Sequence, residues 1–217
     1  REVPYDRAHT TMHGFPMCGD CRREYLDPMD RRFHAEPTAC PVCGPRVWLE
    51  QDGRPQRQQV LEPAGRLLRE GKIVAIKGLG GFHLAADARN ARAVQTLRER
   101  KGRVAKPFAV MVRDLAEARR LCRLGDLEES LLLSPERPIV LALKRETCEV
   151  APQAAPGNKY LGLLLPYTPL HFLLLSHAPP ALVMTSGNLS EEPLVFANDA
   201  ARSKLGSLAD AFLLHDR

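Results

Sequence analysis

The chain of 217 residues predicts an α/β protein, a mixed sheet flanked by helices and preceded by a small metal-binding module. Three observations carry that expectation. Apolar runs of strand length alternate with helical-period segments from residue 60 onward, the pattern of a layered α/β domain. Four of the six cysteines fall in two C-x-x-C pairs within the first 43 residues. Hydrophobic residues make up 44% and charged residues 26%, enough for a packed core and against wholesale disorder, a collagen repeat or a coiled coil. No apolar run approaches ~18 residues and no signal core follows the polar start, so the chain is expected to be soluble and cytoplasmic, with no membrane partner.

Cys18 and Cys21 form the first pair and Cys40 and Cys43 the second, with eighteen residues between them. In a cytosolic chain this spacing predicts four thiolates closing a tetrahedral zinc site, because each C-x-x-C turn aims two sulfurs at one metal. Disulfides would need an oxidising compartment. Gly19 and Gly44 follow ligand cysteines, where tight turns let backbone N–H groups reach sulfur. Four cysteines leave no open coordination position, so the zinc is expected to be structural. Cys122 and Cys148 read as small buried apolar residues. The polar, turn-rich run Gln51-Asp52-Gly53-Arg54-Pro55 marks a boundary, giving a zinc-finger module over 1–50 and a second domain over 56–217.

Within that second domain Val60, Leu61, Ala64, Leu67 and Leu68 recur at helical spacing, and Gly71 ends the helix. Ile73-Val74-Ala75-Ile76 predicts a buried strand, followed by a compact loop at Gly78, Gly80 and Gly81. Asn90 caps a helix running to Arg100, Phe108 to Val112 is a strand, and Asp114 starts a helix reaching about Arg123. Further strands are expected at 139–143, 161–165, 182–184 and 212–214, alternating with helices around 126–133, 168–176 and 198–205.

The formal charge of +5 is unevenly spread. Residues 1–50 carry a net −1, whereas the stretch 89–123 holds 11 basic residues against 3 acidic. Such a concentration suits a phosphate-bearing ligand or a nucleic acid, and equally a solvated helix face. Three polar constellations punctuate the apolar framework. They are Arg100-Lys101-Gly102-Arg103 with Lys106-Pro107, the run Thr185-Ser186-Gly187-Asn188-Leu189-Ser190 directly after a strand, and Lys77 with the glycine loop and His83. Loops beyond strand ends are where α/β sheets commonly bind ligands. No P-loop signature is present. The residues alone therefore reach a zinc module joined to a basic α/β domain that binds a phosphate ligand.

Pro4-Tyr5-Asp6-Arg7, Phe15-Pro16-Met17-Cys18, Asp27 to Ala35 and Cys40-Pro41-Val42-Cys43-Gly44-Pro45 resemble a zinc finger of the HypF family, the carbamoyltransferases of nickel-iron hydrogenase maturation. Ala75 to Leu84, Arg100 to Pro107, Gly162 to Pro166 and Met184 to Ser190 resemble that family's YrdC-like domain. Together they span essentially the whole chain. The resemblance implies a YrdC-like twisted mixed sheet with flanking helices. It also implies that Lys101 and Arg103 (a K-x-R motif), Lys106 of the following K-P segment, Ser186 and Asn188 (an S-x-N motif) and Lys77 bind the nucleotide, with Lys101 and Arg103 catalytic.

The implied reaction joins carbamate, derived from carbamoyl phosphate, to ATP with Mg²⁺, giving carbamoyl-adenylate and pyrophosphate. The carbamoyl group would then pass to the terminal cysteine of a HypE-like acceptor for cyanide ligand synthesis. No carboxylate cluster marks a magnesium site. The family's acylphosphatase domain, a preceding finger and the large transfer domain have no counterpart here, so the chain is expected to be a fragment that does not complete the transfer alone. Two alternatives remain at this point. One is a threonylcarbamoyl-adenylate synthase in tRNA modification, against which stand the finger and the Lys77 loop. The other is a nucleic-acid-binding zinc and basic module, disfavoured by the net −1 of residues 1–50.

Overall fold

The computed structural model describes residues 6–189 and 192–217; Pro4, Tyr5 and Ser190 of the motifs above lie outside the described residues. Two compact units separate, one reaching to Val47 and taking in His215–Arg217, the other Trp48–Leu214. Among its described residues the first has one α-helix, α1 (Gly19–Leu26), among turns and short 3-10 segments. Its buried apolar side chains are few, Met12 and Cys21 foremost. Hydrogen bonds hold it together where a core cannot. The Arg7 guanidinium donates to the carbonyls of Glu36 (2.6 Å), Thr38 (2.9 Å) and Phe15 (2.7 Å), and Tyr25 Oη donates to Glu36 Oε1 (2.9 Å).

The second unit begins with a hairpin, β1 (Val47–Gln51) and β2 (Arg54–Gln56). Its two-residue turn is Asp52-Gly53, both with positive φ (50° and 72°), the combination that matches strand twist. The polar run read as a boundary is thus the tip of an edge hairpin. There follow α2 (Leu61–Arg69), β3 (Val74–Lys77), β4 (Phe82–Asp87), α3 (Ala91–Arg100), β5 (Ala109–Val112), α4 (Leu115–Leu121), β6 (Cys122–Arg123), α5 (Asp126–Leu133), β7 (Val140–Lys144), β8 (Tyr160–Leu164), α6 (Pro169–Leu175), β9 (Ala181–Ser186), α7 (Asn198–Leu205) and β10 (Ala211–His215). The strands form one mixed sheet in the order β2-β1-β10-β3-β4-β9-β5-β8-β7-β6. Pairs β10/β3 and β5/β8 are parallel, and β3/β4, β4/β9 and β9/β5 antiparallel.

Period-2 alternation splits the central strands between two faces. Ala75, Leu84, Ala86, Val110, Val112 and Val183 pack with Ala93, Val94 and Leu97 of α3 and with buried residues of α4, α5 and α7. The opposite face carries Val74, Ile76, Ala85, Leu182 and Met184, all at most 5% exposed, and is covered by α2 and α6. Asn90 caps α3 as expected, its Oδ1 accepting from the Ala93 N–H at 3.0 Å, and Asp114 caps α4 through the Glu117 N–H at 2.8 Å.

Two local expectations change. The helix after Asp114 stops at Leu121, because Cys122 and Arg123 pair with Lys144 and Leu143 of β7. The expected strand set also gains a member: the compact glycine loop closes within residues 78–81, and Phe82–Asp87 forms β4, which lies between β3 and β9. Its Phe-His-Leu-Ala-Ala-Asp run has modest strand propensity and gains its conformation from neighbours on both sides. Among the described residues no helix is long and apolar enough to cross a membrane.

Candidate functional site

The four predicted zinc ligands converge. The sulfurs of Cys18, Cys21, Cys40 and Cys43 lie within 4.8 Å of one another, with Cys18–Cys40 at 3.7 Å and Cys40–Cys43 at 3.8 Å. A tetrahedron with Zn–S bonds of ~2.3 Å has edges of ~3.8 Å, so the donor set fits zinc in size and chemistry. Backbone hydrogen bonds from Cys18 and Cys40 hold the Cys43 thiol down to about 6. Burial among three sulfurs pushes Cys21 up to about 12, a penalty that a divalent cation at the centre inverts. Of the two expected turn glycines only Gly44 meets a steric demand, since a Cβ there would sit 2.8 Å from the Cys40 carbonyl oxygen. Gly19 is the first residue of α1, capped by Cys18, with open space around it. Cys122 is fully buried and its thiol is pushed up to about 12 by burial, as an inert apolar residue requires.

The second site forms where α3 ends against the end of β9. Lys101 is the C-cap of α3, and Gly102 (φ 62°) takes the left-handed conformation that ends the helix. The Lys101 ammonium, 4% exposed, then reaches across 85 positions of sequence. It donates to the Ser186 carbonyl (2.7 Å), the Asn188 carbonyl (2.8 Å) and Asn188 Oδ1 (3.2 Å). Asn188 Oδ1 also accepts from Ser186 Oγ at 2.7 Å, and its Nδ2 donates to the Glu192 carbonyl at 2.6 Å. Gly187 sits so close to β4 that a Cβ would fall 2.6 Å from that of Phe82, and its N–H donates to the Phe82 carbonyl at 2.6 Å. Lys101, Ser186 and Asn188 are therefore one hydrogen-bonded unit. Burial and the neighbouring Arg103 charge lower the Lys101 ammonium to about 8.

Arg103 completes the cluster. Nε donates to the Lys106 carbonyl (3.0 Å), Nη2 to the Pro107 carbonyl (2.6 Å) and Nη1 to Thr185 Oγ1 (3.0 Å), while the guanidinium lies 4.7 Å from the Phe108 ring centroid. These bonds use three of five N–H donors, leaving one on each Nη. None of its partners among the described residues is a carboxylate. Other cations of the basic stretch differ: Arg89, Arg100, Arg113, Arg119 and Arg120 all pair with Asp or Glu. Five of the eleven basic residues of this stretch are thus paired with carboxylates, three of which, Glu129, Glu149 and Asp210, lie outside it, so the local excess is smaller than the sequence count. Beside Arg103 lies an open cleft of about 610 Å³, lined by Arg98, Glu99, Arg103, Val104 and Gln153 among others, while Lys101, Ser186 and Asn188 are not part of its lining. That volume is in the range of nucleotide-sized ligand sites.

Lys106 contributes its carbonyl oxygen, which accepts from Arg98 and Arg103, while its residue is exposed. Lys77 ends β3 at the same end of the sheet, one register step from the Ile76–His83–Ser186 row that crosses β3, β4 and β9. His83 turns to the α6 side, where its Nε2 lies 3.3 Å from Tyr167 Oη and its ring 6.2 Å from His171. Burial lowers both imidazoles, His171 to about 4. The motifs missed Arg98 and Phe108 as members of the cluster, and Thr185, the first residue of the 185–190 constellation, was given no individual role. Arg98 alone carries a sequence signal, an arginine on the apolar face of a helix, four residues after Val94 and one after Leu97.

The HypF finger family model matches residues 17–50, and the Sua5–YciO–YrdC family model, described as telomere recombination, matches residues 66–217. Carbamoyltransferase HypF of Rhodobacter capsulatus is 53% identical over 217 residues, all of this chain and 29% of that protein. A full-length HypF solved in a phosphate- and nucleotide-bound form superposes with a TM-score of 0.94 at 50% identity, covering 100% of this chain and 28% of that one. P. abyssi Sua5 complexed with L-threonine gives a TM-score of 0.61 at 21% identity over 69% of this chain and 44% of that one, a likeness of fold alone. The chain spans under a third of the length of the HypF proteins named here.

Proposed function

The chain belongs to the HypF family of carbamoyltransferases, and from that membership we propose that it is the adenylating portion of a hydrogenase-maturation enzyme. Residues 56–217 bind ATP with Mg²⁺ and join it to carbamate, and residues 1–50 form a module folded around one structural zinc. In the reaction a carbamate oxygen attacks the α-phosphorus, the bond to the bridging oxygen breaks, and pyrophosphate leaves with the electron pair. Further domains would supply carbamate from carbamoyl phosphate and pass the carbamoyl group to a HypE-like acceptor cysteine.

What supports this most is the placement of Arg103. Its three internal bonds fix the guanidinium and leave one N–H on each Nη, and no carboxylate among the described residues is bonded to it. Bidentate arginine is the geometry that suits phosphoryl oxygens, and a fixed cation gains most where charge grows on the departing group. Lys101 holds the Ser186–Asn188 turn against α3 and adds a buried positive charge at the same place. No nucleophilic side chain is called for, because the step needs positioning and charge stabilisation. The donor set of the four cysteines suits zinc, which contributes folding energy to its module and no open coordination position.

The test is ATP–pyrophosphate exchange by the purified chain with bicarbonate or carbamate present. Exchange that depends on carbamate, and is not raised further by threonine, is the expected result. Exchange that requires threonine would replace this reading with threonylcarbamoyl-adenylate synthesis, and no ATP binding at all would reject both.

A further inference from the structure

Arg98 lies on the buried face of α3 with 5% of its surface exposed, an unusual place for a guanidinium with no carboxylate partner among the described residues. Its partners are all main-chain carbonyls. Nε donates to Gln153 O (2.6 Å), Nη1 to Arg103 O (2.9 Å) and Val104 O (3.3 Å), and Nη2 to Lys106 O (3.0 Å). The Phe108 ring centroid lies 4.8 Å from the guanidinium carbon, so one aromatic ring carries both Arg98 and Arg103. Desolvation lowers Arg98 from its ordinary value, yet a guanidinium stays charged at such a site.

We propose that Arg98 is the positioning residue that pre-forms the 103–107 loop for an anionic ligand. The inference rests on the phosphate-binding reading of Arg103 given above. A loop that grips phosphate cannot afford carbonyl oxygens facing it, because each presents a negative dipole end to the anion. Arg98 draws three carbonyls of that loop inward onto one buried cation and ties them to Gln153 on a separate segment. The Arg103 side chain is thereby aimed before the ligand arrives, so the ordering cost is met on folding and not on binding. The flat fork of guanidinium reaches four acceptors at once, whereas a lysine ammonium offers three donors from one point.

The experiment compares Arg98→Lys, Arg98→Ala and Arg103→Ala in the 217-residue chain, by titration calorimetry with MgATP and by amide hydrogen exchange over residues 102–107. Arg98→Lys keeps the aliphatic stem and the charge, and is expected to stay folded while its Kd for MgATP rises roughly 10-fold or more, the scale of a lost charge-assisted hydrogen bond. Loop exchange should quicken without nucleotide and slow again at saturating MgATP. Folded Arg98→Ala should regain affinity in millimolar guanidinium chloride relative to sodium chloride of equal ionic strength, a rescue that lost packing alone would not give. Wild-type affinity in Arg98→Lys, or no rescue of a folded Arg98→Ala chain, overturns the proposal. If Arg103→Ala weakens MgATP while Arg98→Lys does not, Arg98 alone is misassigned; if Arg103→Ala binds like wild type, the underlying site reading has failed instead.

Discussion

Replacing Arg103 with Ala is the sharpest perturbation of the cation cluster, because the structure separates what it would cost the fold from what it would cost the ligand. Three bonds within the protein disappear, to Lys106 O, Pro107 O and Thr185 Oγ1, but Arg98 still holds Arg103 O, Val104 O and Lys106 O, so the loop keeps its path. The ligand loses the one N–H on each Nη that those bonds leave available. Hydrogen bonds to charged groups are worth about 1.5–3 kcal/mol each when sheltered, and the half-exposed position lowers that, so about 1–3 kcal/mol in total is expected. That is a 5- to 150-fold rise, roughly, in the Kd for MgATP by titration calorimetry. Arg103→Lys should recover little of it, since ammonium lacks the planar fork. Arg119→Ala is the control: it lies in the same basic stretch, but its guanidinium pairs with Glu129 at 2.7 and 2.6 Å and is more than half exposed. Equal losses from Arg119→Ala and Arg103→Ala would mean diffuse electrostatics, and no loss from Arg103→Ala would refute the pocket.

Other expectations follow from the same contacts. Because Lys101 is lowered to about 8, MgATP affinity should fall as pH rises through that value; bound anion should shift the fall upward, and Lys101→Met should flatten it while weakening binding at pH 7. Asn188→Ala should weaken MgATP as well, by ~1–3 kcal/mol, since it removes the side-chain acceptor that ties Ser186 Oγ and one Lys101 N–H into the turn, while the main-chain bonds of Lys101 remain. His171, lowered to about 4 by burial, is charged in the unfolded chain but neutral in the folded one between that value and about 6.5, so stability should be lost as pH falls through this window, by up to about 3 kcal/mol. His171→Phe should remove that dependence in urea titrations at pH 7 and pH 5; an unchanged acid slope would assign it elsewhere. Cys40→Ser should abolish stoichiometric zinc by elemental analysis and unfold the finger module, with MgATP affinity largely kept; full zinc retention would reject the four-cysteine site.

The four-cysteine cluster was legible at once, because each C-x-x-C turn brings two sulfurs together over a few residues, although the fold of the module is what joins the two pairs. Helices α2, α3, α5, α6 and α7 were legible for a similar reason: apolar period and capping side chains such as Asn90 act within one or two turns. Family resemblance supplied Lys101, Arg103, Ser186 and Asn188, although residue spacing alone gave no reason to join positions more than eighty apart. What the sheet order decided is of another kind. It made Phe82–Asp87 a central strand despite weak local preference, and it set β9 beside β4 so that Ser186 and Asn188 meet Lys101. It also brought Glu129, Glu149 and Asp210 to the arginines of the basic stretch, cancelling charge that a count along the chain leaves standing. Arg98 marks the division most clearly. Its position on the apolar face of α3 is written in the sequence, but its four carbonyl partners exist only once residues 103–106 and Gln153 close around it, because burying a guanidinium is tolerable only where folded main chain replaces the water it loses.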